Sequence, residues 1–281
     1  KTSCDIYSVS AIFRENQLFF KSYGARYRKI LAMFNHFFVQ NTVSKELLNS
    51  FGFANVSITG DTRFDRVLDI ASAKKSIDWL SKLADGKIIV AGSTWEDDHQ
   101  IIGSVLAHWD QLEQCNWIIV PHNVDAASIK ACRSHFTNAI CLSEWLTQLN
   151  SIEQPMVLIV DQIGLLSHLY QYADIAYIGG GFTKDGIHNV LEAAVFGKPV
   201  IWGPNDLKYP EAIGLRNAGG GIQIKDAGSL KTTIYQLLND TSFYKATGDA
   251  ALKFVQAHAG ATQKTIESIK QIYVSPINQK L

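Results

Sequence analysis

The sequence predicts an α/β protein built on a doubly wound parallel sheet, and two patterns carry this prediction. Short apolar runs bounded by turn residues recur along the chain, as they do where parallel strands are buried on both faces. Segments with apolar residues at helical spacing alternate with these runs. The chain has 281 residues, of which 47% are hydrophobic, so it has enough apolar surface for one large domain or two moderate ones.

The first sixty residues predict only part of such a domain. Apolar runs predict strands at 5–13, 36–40 and 56–59, and helical spacing predicts helices at 18–34 and 42–51. Hydrophobic patterning is weakest over 61–73, where we expect a turn and a domain junction. Residues 1–60 are then a remnant of one domain, since a whole one needs roughly a hundred residues more. The chain starts at Lys1 inside an apolar pattern, which favours a piece of a longer protein.

From residue 76 the alternation restarts and continues almost to the end of the chain, so we assign 61–281 to a second domain. The predicted strands are 87–93, 116–122, 138–143, 155–161, 175–180, 199–204 and 221–226. The predicted helices are 76–83, 97–109, 125–135, 144–149, 165–172, 189–196, 209–218, 230–238, 243–255 and 262–273.

Composition excludes several classes of function. Twenty-six basic and twenty-six acidic residues leave no net charge, which argues against a nucleic-acid partner and against a polybasic membrane surface. The four cysteines have no paired spacing, which argues against a zinc site or a disulfide framework and favours a reducing compartment. No apolar run approaches the ~20 residues of a spanning helix, and no signal peptide is recognisable, so we expect this stretch to be soluble.

Polar residues follow several predicted strands, at the sheet edge where parallel α/β folds bind ligands. Ser93 and Thr94 open a helix, and they either cradle a phosphate with the backbone N–H groups or simply cap that helix. His122 follows the next strand and is either a phosphate or carboxylate ligand or an exposed loop residue. Asp161 follows a later strand and is interpreted as the cap of the next helix.

The stretch from Ile178 to Pro204 is the most specific signal. Gly179, Gly180 and Gly181 predict a sharp turn with uncovered N–H groups, followed by a helix that starts near Asn189. Glu192 then either complements the helix dipole or accepts hydrogen bonds from the two hydroxyls of a ribose. Residues 203–205 follow the next predicted strand and lie at the same edge of the sheet. Tyr209 and Glu211 come after them and either shape a pocket wall or merely start a surface helix.

These motifs together resemble a known family. Their order is "GDTRFD", "AGSTWEDD", "IIVPHN", "GIHNVLEAAVFGKPVIWGP" and "GATQKTIESI". This order resembles the 3-deoxy-D-manno-octulosonic acid (Kdo) transferases of lipid A biosynthesis, which are two-lobed GT-B glycosyltransferases. The resemblance implies a complete Rossmann-like C-terminal lobe with a truncated remnant of the N-terminal lobe. It also suggests that the helix at 262–273 returns to the N-terminal lobe.

The resemblance implies transfer of Kdo from CMP-Kdo to a hydroxyl of a lipid A precursor with inversion, and it implies no metal and no cofactor. The resemblance also implies that Glu192 binds the cytidine ribose and that Asn189 and His188 lie near the donor phosphate and sugar. The other implied cleft residues are Arg63, Ser93, Thr94, His122, Gly179, Gly180 and Gly181. Arg63 stands where the family commonly has lysine, His122 where it has arginine, and Val190 where it has proline.

The general base of the family is a glutamate near the start of the N-terminal lobe, beside a membrane-anchoring segment, and residues 1–60 contain no counterpart. We therefore expect a donor-binding part that is inactive alone. The resemblance implies that the whole enzyme lies at the cytoplasmic face of the bacterial inner membrane. We also expect the apolar face of the helix at 262–273, left exposed by the truncated lobe, to favour a dimer. Two alternatives stay open. One is another GT-B nucleotide-sugar enzyme, such as a UDP-N-acetylglucosamine transferase or epimerase, and the other is a non-catalytic nucleotide-binding module.

Overall fold

The computed structural model describes residues 4–73, 75–83, 85–108, 115–147 and 156–274. The strands are β1 (Tyr7–Ala11), β2 (His36–Val39), β3 (Val56–Ile58), β4 (Lys87–Thr94), β5 (Cys115–Pro121), β6 (Ile140–Cys141), β7 (Val157–Ile159), β8 (Ile175–Ile178), β9 (Val200–Trp202) and β10 (Gly221–Gln223). The helices are α1 (Ala25–Leu31), α2 (Thr42–Ser50), α3 (Thr62–Ser72), α4 (Glu96–Ala107), α5 (Ala126–Ser134), α6 (Leu142–Thr147), α7 (Leu166–Leu169), α8 (Leu191–Ala194), α9 (Pro210–Asn217), α10 (Ala227–Asn239), α11 (Thr241–His258) and α12 (Ala261–Val274).

The described chain forms two compact units. The smaller one comprises residues up to Arg66 together with those from Ala257 onward, and the larger one comprises Val67–Gln256. The smaller unit contains a parallel sheet in the order β1-β2-β3. Its core is rich in buried aromatic residues such as Phe13, Phe20 and Phe37.

Helix α12 belongs to the smaller unit, together with the N-terminal strands. The Asp65 carboxylate accepts hydrogen bonds from the backbone N–H groups of Gly260 (2.5 Å) and Thr262 (2.7 Å). At the other end of the helix, the Tyr273 hydroxyl donates to Asp5 (2.9 Å) and the Tyr273 ring lies edge-on to Tyr7. The two ends of the chain therefore contribute to one structural unit.

The larger unit is a doubly wound sheet, and this prediction is confirmed. Its strands are all parallel, in the order β10-β9-β8-β4-β5-β7-β6. The strands are buried on both faces, which explains why they read as unbroken apolar runs in the sequence. From the central pair, the chain order runs outward from β4 through β5 on one side and from β8 through β9 on the other. The carboxyl ends of β4 and β8 therefore flank the topological switch point, where open α/β sheets bind ligands.

Several predicted elements are wrong in detail. The turn expected at 60–65 is instead the start of the helix α3, which buries Phe64 and Val67. The helix expected at 18–34 is two short 3₁₀ turns followed by α1, and the turn at Gly24 is so close that an added Cβ atom would stand 2.2 Å from the Leu18 carbonyl oxygen. The helix expected at 76–83 is only a 3₁₀ turn.

The remaining differences concern element ends. The predicted ends of one helix at Trp109, of another at Leu149, and the start of one strand at Pro155 lie outside the described residues. Among the residues that are described, no helix combines the length and the apolar character needed to cross a bilayer.

Candidate functional site

The glycine turn (Gly179–Gly181) follows β8 and lies directly against the end of β4. A Cβ atom added to Gly179 would stand 2.3 Å from the Ser93 carbonyl oxygen and 2.6 Å from the Thr94 Cα. Gly180 has a φ of 87°, a conformation that side chains with a Cβ rarely adopt. These glycines are therefore required by the close approach of two central strands and by the turn between them.

The N–H groups of this turn are largely committed, so the expectation that they are uncovered is wrong for Gly179 and Gly180. Gly179 donates to the Gly92 carbonyl oxygen (2.9 Å), and Gly180 donates to the Asp98 carboxylate (2.8 Å). The turn's carbonyl groups are also used, because Gly179 accepts from the His188 N–H and Gly181 accepts from the Asn205 N–H. The turn holds neighbouring loops together.

Asp98 organises this edge of the sheet, although sequence reasoning missed it. Its fully buried carboxylate accepts the Tyr177 hydroxyl (2.6 Å), the Gly180 N–H (2.8 Å) and the Trp95 N–H (2.9 Å). Burial raises the pKa of this carboxyl, and the three hydrogen bonds oppose that rise. One side chain on α4 thus ties the end of β4 to β8 and to the glycine turn.

Ser93 and Thr94, at the end of β4, do not cap α4. Trp95 occupies the cap position, and the Asp98 carboxylate covers its N–H. The Thr94 hydroxyl is buried, and its nearest partner is the Nε2 atom of His99 at 2.9 Å. Burial lowers the pKa of His99 to about 4, so this imidazole is neutral at physiological pH. Thr94 can border a ligand only through its backbone, whereas Ser93 is partly exposed with a φ of 53°.

His122 and His188 are brought together with Trp95 at the carboxyl ends of β4, β5 and β8. The His122 ring lies 4.3 Å from the Trp95 ring and 4.6 Å from the His188 ring, measured between centroids. The Trp95 Nε1–H donates to His188 Nε2 at 3.0 Å. We call these three residues the imidazole–indole stack. Burial, followed by repulsion from His122, lowers the pKa of His188.

Asn189 and Glu192 form a hydrogen-bonded pair beside the glycine turn. Asn189 Nδ2 donates to Glu192 Oε1 (3.2 Å), and Asn189 Oδ1 accepts the Leu191 N–H (3.2 Å). The helix expected from Asn189 to Phe196 is shorter, because α8 begins at Leu191 after this cap and the chain turns at Gly197 with a φ of 66°. Its Glu192 side chain is only partly buried, so the carboxylate can still reach a ligand.

The other candidates have different surroundings. Arg63 belongs to the smaller unit and makes a two-point ion pair with Asp61, with a shortest distance of 2.7 Å. Asp161 is not the cap of the next helix, because its carboxylate accepts the Ser143 N–H (3.1 Å) and hydroxyl at the start of α6. No three His, Cys, Asp or Glu side chains within the described ranges are grouped to hold a metal ion.

A cavity of ≈ 290 Å³ flanks the loop that follows the glycine turn. The Tyr209 hydroxyl donates to the Asp185 carbonyl oxygen (2.6 Å) and so shapes this loop, while Glu211 is buried at the start of α9. The residues lining the cavity are Lys184, Asp185, Gly186, Asn205, Leu207 and Lys208.

Comparison with curated proteins finds relatives of one kind. A 3-deoxy-D-manno-octulosonic acid transferase of Rickettsia typhi is 26% identical over 250 residues, which is 87% of this chain and 53% of that protein. The transferase of Aquifex aeolicus is 30% identical over 226 residues, covering 77% of this chain and 58% of that protein. The chain is related to the Kdo transferases. It spans little more than half the length of these two relatives, and no protein-family model matches it.

Solved structures show the same fold. The C-terminal CMP-Kdo binding domain of WaaA from Acinetobacter baumannii superposes with a TM-score of 0.56 at 18% identity, over 68% of this chain and 99% of that one. The UDP-GlcNAc 2-epimerase from Neisseria meningitidis superposes with a TM-score of 0.64 at 17% identity, over 95% of this chain and 69% of that one. The relation to Kdo transferases and the Rossmann-like GT-B fold are thus both confirmed.

Proposed function

We propose that this chain holds the CMP-Kdo donor of a Kdo transferase at the carboxyl edge of its seven-stranded sheet. The observation that carries the proposal is the Asn189–Glu192 pair, a partly exposed carboxylate held beside the glycine turn in a relative of the Kdo transferases. A carboxylate fixed in this way can accept hydrogen bonds from two adjacent hydroxyl groups. In this proposal Glu192 binds the ribose of cytidine, and Asn189 orients it.

The neighbouring residues complete the proposed site. His122 and His188 lie near the donor phosphate and sugar, and Ser93 adds a hydroxyl group. Thr94 and the glycine turn (Gly179–Gly181) border the ligand through their backbone. The domain assignment that goes with this proposal makes 61–281 the donor lobe, with its C-terminal helix returning to the acceptor-side lobe, of which 1–60 is a part.

The whole enzyme, in this proposal, moves Kdo to a hydroxyl of a lipid A precursor with inversion, without a metal or cofactor. It acts at the cytoplasmic face of the bacterial inner membrane, which it contacts through a segment outside this chain. Exposed apolar side chains in the smaller unit, including Tyr23 and Met33, favour a dimer of this chain on its own.

The chain alone is expected to bind its nucleotide without catalysing transfer. A general base contributes about 10²–10⁴-fold to a rate, and no residue of 1–60 matches the family's catalytic glutamate. The measurement is Kdo transfer from CMP-Kdo to a lipid A precursor by the purified chain, with CMP binding measured in the same preparation. Robust transfer would show that the chain carries its own base.

Calorimetric titration with CMP tests the donor site directly. We expect CMP to bind in preference to UDP, and Glu192→Ala to weaken CMP binding by about 10–100-fold, because hydrogen bonds to a charged group contribute about 1.5–3 kcal/mol. Glu192→Gln should also weaken binding, since the amide is neutral. Glu144→Ala removes an exposed carboxylate elsewhere in the same unit and serves as the control.

The other outcomes of this titration identify the alternatives. Preference for UDP would favour a UDP-sugar enzyme of the kind that shares this fold. Unchanged CMP binding in both Glu192 variants would assign the glycine turn and its neighbours a packing role in a nucleotide-binding module. Absence of binding to either nucleotide would contradict a donor site formed by this chain.

A further inference from the structure

The imidazole–indole stack (Trp95, His122 and His188) has a specific internal geometry. The Trp95 and His188 rings are nearly parallel, at 8°, yet their centroids are 6.3 Å apart, too far for face-to-face contact. They are joined edge to edge by the Trp95 Nε1–H···Nε2 bond of 3.0 Å, so they lie side by side in one plane. His122 is tilted by only 20° and 26° to these rings and covers the junction between them.

This geometry distinguishes the two imidazoles. An imidazole nitrogen that accepts a hydrogen bond carries no proton, so the Trp95 bond requires neutral His188 with its proton on Nδ1. His122 is exposed and stacks on the face of the indole, where the negative face of the ring attracts a cation. A second positive charge on His188, only 4.6 Å from His122 between centroids, would be repelled.

Several carboxylates on the segments that carry or adjoin the stack already have hydrogen-bond partners. Asp98 accepts the Trp95 and Gly180 N–H groups and the Tyr177 hydroxyl, while Glu96 pairs with His135. Asp125 caps α5 and Glu192 accepts from Asn189. The exposed charged residues on the adjoining segments are Asp97, Lys184 and Asp185. Within the described part of the chain, neither His122 nor His188 has a carboxylate hydrogen-bond partner. The hydrogen bond from Trp95 to His188 is therefore the side-chain contact that makes the two imidazole groups differ in protonation.

We propose that Trp95 is a positioning residue that directs the proton of this histidine pair to His122, which then binds the phosphate of a nucleotide as an imidazolium. His188 stays neutral beside it. The first half of this proposal concerns the protein without ligand, and the second half rests on the donor site proposed above. No covalent step is involved, only the location of one proton and one ionic contact.

Proton NMR titration of the imidazole groups in the unliganded chain tests the first half. As the pH falls, His122 should take up its proton before His188. Trp95→Phe keeps an aromatic face under His122 but removes the Nε1–H donor, so His188 should then titrate at higher pH, toward the ordinary imidazole value of about 6.5. Trp79→Phe removes an indole elsewhere in the same unit and should leave both titrations unchanged.

Two results would overturn this half. One is protonation of His188 before His122 in the unaltered chain. The other is an identical His188 titration in the unaltered chain and in a folded Trp95→Phe variant. A loss of folding in Trp95→Phe is detected by circular dichroism, and in that case the order of protonation in the unaltered chain decides the question.

Calorimetry with CMP tests the second half, using His122→Arg as a permanently charged reference. The phosphate of CMP itself titrates near pH 6, so the useful quantity is the affinity of the unaltered chain relative to His122→Arg. This ratio should fall about tenfold between about pH 6 and about pH 8, because only histidine loses its charge in that range. His108→Ala, which removes an exposed imidazole at the end of α4, is the control and should keep the ratio of the unaltered chain.

A ratio that does not change with pH contradicts phosphate binding by His122. Failure of the unaltered chain to bind CMP at either pH contradicts the donor site itself, and with it the second half of this proposal. The NMR titration still decides the role of Trp95, because it needs no nucleotide.

Discussion

Asp98→Ala is expected to destabilise the larger unit by about 3–5 kcal/mol. The substitution leaves the Tyr177 hydroxyl and the Gly180 and Trp95 N–H groups without their partner, and each buried donor left unpaired costs about 1–3 kcal/mol. For a unit of this size, the midpoint of thermal unfolding should fall by roughly 6–20 °C. Differential scanning calorimetry measures the shift.

Asp98→Asn separates lost hydrogen bonds from lost charge. The remaining amide oxygen can still accept the two N–H groups, and the amide nitrogen can donate to the Tyr177 hydroxyl, which is able to accept. We expect this variant to lose only about 1 kcal/mol. Asp97→Ala, at the exposed neighbouring position, is the matched control. Equal losses in the alanine and asparagine variants would contradict the hydrogen-bonding role assigned to Asp98.

Gly179→Ala is expected to have the second large effect. The new Cβ would meet backbone atoms of Ser93 and Thr94 at 2.3–2.7 Å, and both belong to the central strand β4. This steric clash can be relieved only if β4 and β8 move apart, because the atoms in contact belong to the backbone and not to a flexible side chain. Overpacking of this kind costs about 3 kcal/mol or more, which corresponds to a fall of roughly 6–12 °C in the unfolding midpoint.

Gly228→Ala is the control for the glycine substitution. Gly228 lies in α10, and a Cβ there would meet only the Asp226 carboxylate oxygen at 3.5 Å, an ordinary contact. Alanine should therefore be neutral or slightly stabilising at this helical position. If Gly179→Ala and Gly228→Ala unfold at the same temperature, the close approach of β4 and β8 is not what requires glycine at residue 179.

Gly179 and Asp98 differ in how clearly the sequence reveals their structural roles. The run Gly179–Gly181 is conspicuous in the sequence, but the prediction that its N–H groups are uncovered is wrong for Gly179 and Gly180, because both N–H groups are bonded within the sheet edge. Asp98 stands three residues after Trp95, which is the spacing of a capping box. That local signal predicts a helix start, whereas the bonds to Tyr177 and Gly180 join residues 79 and 82 positions apart.

The same reasoning applies to the candidate ligands. Local pattern predicts that Thr94 binds phosphate or caps a helix and that Asp161 caps a helix, whereas their side chains are hydrogen-bonded to His99 and Ser143. Glu192 was recognised because its helical spacing from His188 and Asn189 lies within one short stretch. Its partner Asn189 is three residues away, so neighbouring sequence was sufficient to bring the two together.

The sequence by itself determined the alternation of strands and helices, the parallel sheet, the relation to Kdo transferases and the glycine turn at the end of β8. These follow from periodicities and motifs that are local along the chain. Only the tertiary structure decided which polar groups at the sheet edge can still contact a ligand and which already make hydrogen bonds within the protein. Hydrogen bonds between strand ends join residues far apart in sequence, such as Trp95 and His188, and local pattern carries no record of that pairing.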